Sequence, residues 1–179
     1  SFLNQTDNPV GWADATLFPN NQGGNAPALF DATNGSLYVV FVIPYNEERG
    51  LYISQSEDGG ENWSAPEKIL IPQEVENCPR FNNPQIIVSA NNEKHVMVNC
   101  STFEGGLGSL SLYYLHSPIQ GNWEKPILLS ENSTTWSHFL LDKNNRIHRL
   151  WKTINPSISL WHSYSDDDDV SWKVRRVAA

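Results

Sequence analysis

Residues Ser56-Glu57-Asp58-Gly59-Gly60-Glu61-Asn62-Trp63 constrain the fold more than any other stretch. Gly59 and Gly60 permit positive φ, which residues with a Cβ resist. The Asp58 carboxylate suits backbone N–H groups across a tight turn, and the Ser56 hydroxyl can do the same more weakly. Strand-like sequence lies on both sides, Leu51-Tyr52-Ile53 before it and Pro66 to Ile71 after it. The stretch therefore predicts a hairpin, with Trp63 folded back over it into a core.

The pattern recurs when the chain is aligned on its tryptophans. Trp12, Trp63, Trp123 and Trp172 are each followed by a short strand-like segment and fall about 50–60 residues apart, the size of a four-stranded unit. Before Trp172 the turn reads Ser165-Asp166-Asp167-Asp168-Asp169-Val170-Ser171, keeping serine and aspartate but with Asp169 in the glycine position. Before Trp123 it reads Ser117-Pro118-Ile119-Gln120-Gly121-Asn122, one residue short and without the aspartate. Before Trp12 only Asp7 is in register.

Ser-x-Asp-x-Gly-x-x-Trp, repeated in this way, resembles the Asp-box of the sialidase-like β-propellers, also known as the bacterial-neuraminidase repeat. That resemblance extends over nearly the whole chain. It implies an all-β fold of blades with four antiparallel strands each, about three and a half blades of a six-bladed ring. The expected units are a half blade at 1–20 and blades at 27–71, 84–130 and 137–178. Asn34-Gly35 and Asn91-Asn92 are hairpin signals inside these units, and Leu37 to Ile43 reads as a strand buried on both faces.

In the family this turn lies opposite the active site. Ser56, Asp58, Gly60 and Trp63, with Ser165, Asp167 and Trp172, are therefore expected to be structural. A fully buried tryptophan hides ~150–250 Å², which at ~25 cal/mol per Å² contributes roughly 4–6 kcal/mol at most. Asp166 to Asp169 is expected to be a solvated turn. Calcium needs 6–8 oxygens from a defined loop, whereas adjacent aspartates fan apart. No metal and no cofactor is expected.

Sialidases hold the substrate carboxylate with three arginines and use a Tyr–Glu nucleophile pair with an Asp acid/base. The first arginine belongs to an Arg-Ile-Pro motif on an inner strand. The matching positions here read Asn25-Ala26-Pro27 and Asn82-Asn83-Pro84. Asparagine cannot supply the charged bidentate fork, so no catalytic residue carries over. The resemblance places the functional face on the loops Tyr45–Gly50, Ser101–Ser109, Thr153–Ser157, Asn20–Asn25, Pro72–Asn83 and Glu131–Trp136. Arg49, Arg80 and Trp136 are the ligand-binding candidates there, because arginine beside an exposed aromatic suits a sugar acid or glycan.

Two functions follow as expectations. One is a non-catalytic propeller that binds a glycan or protein. The other is part of an exo-glycosidase with its catalytic residues mostly outside this chain. A net charge of −8 without a basic patch argues against nucleic acid, and no apolar run approaches the ~20 residues of a membrane helix. Cys78 and Cys100 either pair in an oxidising compartment or remain free thiols. Asn-x-Ser/Thr sequons begin at Asn4, Asn34, Asn62, Asn99 and Asn132, and a secreted or cell-surface location is expected. Three and a half blades do not close a ring. The missing blades are expected from the same longer chain or from a homo-oligomer, most simply two copies about a two-fold axis.

Overall fold

A computed structural model describes residues 25–43, 49–75, 78–101, 110–119, 121–154, 156–166 and 171–178. The half blade at 1–20 with Trp12, and also Asp167, lie outside the described residues. Eleven strands follow in chain order: β1 (Asn25–Asp31), β2 (Leu37–Ile43), β3 (Gly50–Ser56), β4 (Glu67–Leu70), β5 (Arg80–Val88), β6 (Lys94–Ser101), β7 (Leu110–Ser117), β8 (Ile127–Leu141), β9 (Ile147–Thr153), β10 (Ser159–Ser165) and β11 (Lys173–Ala178). A 3-10 turn at Pro72–Glu74 is the one helical element among the described residues.

β1 to β4 pair in sequence order as one antiparallel sheet. β5 to β11 form a seven-stranded array that divides at β8. The first part of β8 pairs with β7, from Tyr114↔Ile127 to Leu110↔Ser133. Its second part pairs with β9, from Ser137↔Trp151 to Leu141↔Ile147. β8 is thus the outer strand of the second four-stranded sheet and the inner strand of the third. The sequence reading placed a loop at Glu131–Trp136. Instead the chain stays extended, and a register shift between Ser133 and Ser137 makes the transition.

The three sheets are built alike. Each inner hairpin turns through one residue of positive φ, at Gly35, Asn92 and Asn145. Each closes with the same two backbone bonds, such as Gly35 N to Ala32 O at 2.9 Å, Asn92 N to Ser89 O at 2.9 Å and Asn145 N to Asp142 O at 3.0 Å. Glycine and asparagine tolerate this left-handed conformation best, so the Asn-Gly and Asn-Asn pairs fix the turns. The hairpins are also tied to each other. Asn34 donates to Asn92 at 2.9 Å, and Asn145 accepts from the Ala90 N–H at 3.0 Å.

Apolar side chains fill the spaces between sheets. Val40, Leu51, Ile53 and Leu70 of the first sheet meet Ile86, Val96, Val98 and Leu115 of the second. The opposite face of the second sheet, with Met97, Leu112 and Tyr114, packs on Trp151, Phe139, Trp161 and Trp172. A buried arginine completes this second interface. Arg149 lies 3.1 Å from the centroid of Trp172 and 4.9 Å from that of Tyr114, and its Nε donates to Ser163 Oγ at 3.0 Å. A guanidinium between two π faces keeps favourable electrostatics out of water.

Tryptophan burial differs from the expectation. Trp63, Trp123 and Trp172 are half-buried, not core residues. Trp123 packs on the cluster between the first two sheets, and Trp172 meets Tyr114 of the second sheet edge-on at 5.8 Å. Trp123 and Trp172 therefore pack across onto the preceding sheet, whereas Trp63 bonds to Gly60 of its own turn.

Cys78 and Cys100 form a disulfide with Cα atoms 5.5 Å apart, fastening the Pro72–Arg80 connection to β6. Cross-linking residues this far apart in sequence contributes about 2–4 kcal/mol. Urea unfolding with and without reductant is expected to show that loss as a lower midpoint. An unchanged midpoint would mean that the bridge does not constrain the unfolded chain.

Candidate functional site

The inner strands β1, β5 and β8 share one irregularity. Their ladders slip between Asn25 and Ala28, between Asn82 and Gln85, and between Ser133 and Ser137. Pro27 and Pro84 sit inside the first two slips, where a residue without an N–H loses no ladder bond. Asn83 adopts φ 45°, a further mark of the bulge. Bulges redirect side chains. Here they open a cleft of about 470 Å³ lined by Pro27, Ala28, Asn83, Pro84, Gln85, Trp136, Ser137 and His138.

Gln85 sets the width of this cleft. Its side-chain amide donates to the Ser137 carbonyl and accepts from the Phe139 N–H, the latter at 3.1 Å. One side chain thus bonds the backbone of the next inner strand on two residues. Trp136 stands on the wall with 70% of its surface exposed, and the Lys152 ammonium lies 5.6 Å from its ring centroid. His138 is exposed beside it.

Of the three ligand-binding candidates, the structure places only Trp136 on this cleft. Arg49 immediately precedes β3, and Arg80 opens β5 opposite Ser101. Both are half-buried. Asn82, at one position where the family pattern has arginine, pairs with Asn99 in the β5–β6 ladder. No arginine is among the cleft's lining residues. The Thr153–Ser157 loop brings Thr153 Oγ1 to Trp161 Nε1 at 3.2 Å, a bond within the third sheet. Tyr45, Thr102 to Ser109 and Asn20 to Gly24 lie outside the described residues.

A second, more apolar cavity of about 820 Å³ continues down the same three strands, lined by Leu29, Phe30, Ile86, Ile87, Phe139 and Leu140 among others. Leu29 and Leu140 are exposed there. Polar groups at the cleft and apolar groups below it give the inner strands a mouth and a floor.

The turn at Ser56–Trp63 is far less open to ligands. Asp58 accepts from the Asn62 N–H at 2.8 Å, from Asn62 Nδ2 at 2.7 Å and from Ser56 Oγ at 2.8 Å. Ser56 Oγ accepts from the Gly60 N–H at 2.9 Å, and Trp63 Nε1 donates to Gly60 O at 3.1 Å. Every one of these bonds stays within the turn. Ser56, Ser117 and Ser165 occupy the same place in the three outer hairpins, and all three are buried. Asp166 is held between Arg146 at 2.7 Å and Lys173 at 2.8 Å.

No protein-family model and no curated protein sequence matches this chain. Solved structures do. NanB sialidase of Streptococcus pneumoniae matches at 12% identity and a TM-score of 0.61, over 88% of this chain and 44% of that one. A xylan β-1,4-xylosidase of Bacillus halodurans matches at 13% and 0.61, over 87% and 32%. This chain is a partial β-propeller. Zg3597, a family 117 glycoside hydrolase of Zobellia galactanivorans, matches at 14% and 0.58, over 89% and 58%. Identities this low establish the fold alone, and the propeller spans less than two thirds of each of these proteins.

Asp58 offers a titration handle on the turn. The Asn62 N–H, then the Asn62 side chain and the Ser56 hydroxyl, lower its pKa from the usual 3.8 to about 2. A depressed carboxylate pKa stabilises the fold above the unfolded value, and that contribution is lost as pH falls through the folded value. Asp58→Ala is expected to lower the Tm at neutral pH, with the gap from wild type closing between pH about 4 and about 2. Melts across that range check this; a gap that stays constant would place the effect elsewhere.

Proposed function

We propose that this chain is the carbohydrate-binding part of a propeller and carries no complete catalytic site of its own. The exposed Trp136 ring at a cleft made by three repeated bulges is the observation that carries the reading. A flat, solvent-facing aromatic offers a sugar ring a stacking surface, while Asn83 and His138 supply hydrogen-bonding groups beside it. Arg49 and Arg80, which do not line the cleft, are the candidates for an acidic group on the same ligand. The printed names of the structural neighbours support a carbohydrate ligand: a sialidase, a xylosidase and a glycoside hydrolase. Asn25 and Asn82, at positions where sialidases carry arginine, support a binding role over hydrolysis. In this reading Ser56, Asp58, Gly60, Trp63, Ser165, Asp167 and Trp172 are structural and touch no ligand.

A second reading, part of an exo-glycosidase whose catalytic residues lie outside this chain, is favoured by one observation. The matched glycosidases are much longer than the matched region. The Cys78–Cys100 disulfide supports a secreted or cell-surface location. Exposed Leu29 and Leu140 on the inner strands support completion of the ring by further blades, from the same longer chain or from a second copy.

A glycan array with the immobilised chain, followed by titration of its best ligand, tests the binding role. Trp136→Ala is expected to weaken that ligand about tenfold or more, equivalent to ~1.4 kcal/mol, with the Tm unchanged because the ring is exposed. Turnover of an aryl glycoside by the chain alone would overturn both readings, since neither gives this chain a complete catalytic site. A ligand bound equally well by the variant would remove the cleft from the account.

A further inference from the structure

The hairpin end of the second sheet holds three side chains that no part of the carbohydrate reading uses. Glu93 closes the β5–β6 turn, His95 follows on β6, and His116 lies directly opposite it on β7. The two imidazoles stack with centroids 5.0 Å apart. His95 is fully buried at 0% exposure.

Each imidazole spends one nitrogen on an orienting partner. His95 Nδ1 lies 2.7 Å from the Tyr114 hydroxyl, and His116 Nδ1 lies 3.3 Å from Glu124 Oε2. The other nitrogens, His95 Nε2 and His116 Nε2, are buried and make no hydrogen bond. Glu93 Oε2 is likewise buried without one. His116 Nε2 lies 3.8 Å from Glu93 Oε2, and the candidate ligand atoms of the three residues lie within 4.8 Å of one another. A proton shared by His116 and Glu93 would satisfy two of these atoms and leave His95 Nε2 with nothing. A cation at their centre satisfies all three.

We propose that Glu93, His95 and His116 form a binding site for a single zinc ion, through one carboxylate oxygen and two Nε2 atoms, with the fourth coordination position open to solvent. Two imidazoles and a carboxylate are a borderline-soft donor set that suits zinc; calcium and magnesium take all-oxygen shells. Bonds of about 2.1 Å at tetrahedral angles bring ligand atoms to about 3.4 Å apart, a short closure from the separations present. Glu93 and His116, with side chains 18% and 13% exposed, form the mouth and can make that adjustment by rotation. Tyr114 and Glu124 supply the outer acceptors that fix a ligating histidine's tautomer and ring orientation.

The position gives the ion a role. In the first sheet the turn after β3 is clamped by Asp58. The equivalent turn after β7 carries Ile119 in place of that aspartate. Zinc would tie the β5–β6 hairpin to β7 in the sheet that lacks the carboxylate clamp.

Calorimetric titration of chelator-treated chain with zinc chloride tests the site. One equivalent is expected to bind with Kd of about 10 µM or tighter, with a rise in Tm. Glu93→Gln and His116→Ala are each expected to weaken binding more than tenfold, and Glu124→Gln by about 10–100-fold as an orienting residue. His162→Ala, on the third sheet, should leave it unchanged. Cobalt chloride should give the visible absorption of a tetrahedral site. Glu93→Gln carries the test if His116→Ala does not fold. No saturable binding, binding that survives both ligand substitutions, loss of binding in His162→Ala, or equal binding of calcium chloride would each overturn the proposal.

Discussion

A four-stranded sheet with apolar side chains on both faces is stable only with a neighbour on each side. That constraint is written in the burial of its strands. β6 is buried at every position from His95 to Ser101, and β7 is almost as closed, because sheets lie against both of their faces. β9 alternates instead, with Ile147, Arg149 and Trp151 buried and His148, Leu150 and Lys152 half-open. One face of the third sheet meets the second; its other face meets nothing among the described residues. That open face is also less apolar than the blade pattern led us to expect. Leu150 and Leu160 share it with the stacked His148, His162 and Tyr164 rings.

Sheet-to-sheet adhesion rests on a few side chains that reach across. Trp172 covers Tyr114, Arg149 fills the space between them, and Gln85 joins β5 to β8 through its amide. Cation–π contacts of this kind contribute about 0.5–2 kcal/mol each, rising with desolvation. The asparagine bonds between hairpins add to this at the opposite end of the inner strands. Bulges at the mouth and fixed hairpins at the floor hold the cleft of Trp136 between two rigid ends. Site and fold are therefore parts of one repeated device.

Much of the architecture was legible because turns depend on backbone conformation, and few residues accept positive φ. Asn34-Gly35 and Gly59-Gly60 announced their hairpins, and the tryptophan spacing gave the repeat. What the tryptophans pack against was not legible, since side-chain direction across a sheet gap depends on how the blades are arranged. The continuous β8 was also missed: Glu131 to Trp136 is polar enough to read as a loop. At the cleft, Asn25-Ala26-Pro27 and Asn82-Asn83-Pro84 were visible as a missing arginine but not as bulges, because a register slip belongs to two strands at once. Glu93, His95 and His116 escaped notice for the same reason. Glu-x-His is unremarkable in a sequence, and His116 joins it only through the β6–β7 pairing.

Dependence of each sheet on its neighbours is the central claim, and native-state amide hydrogen exchange resolved by strand tests it most directly. Protection is expected to follow coverage: slowest exchange in β6 and β7, between two sheets, and fastest in β10 and β11 of the half-covered third sheet. Uniform protection across all three sheets, or β11 exchanging as slowly as β6, would contradict it and would mean that each blade is stable by itself.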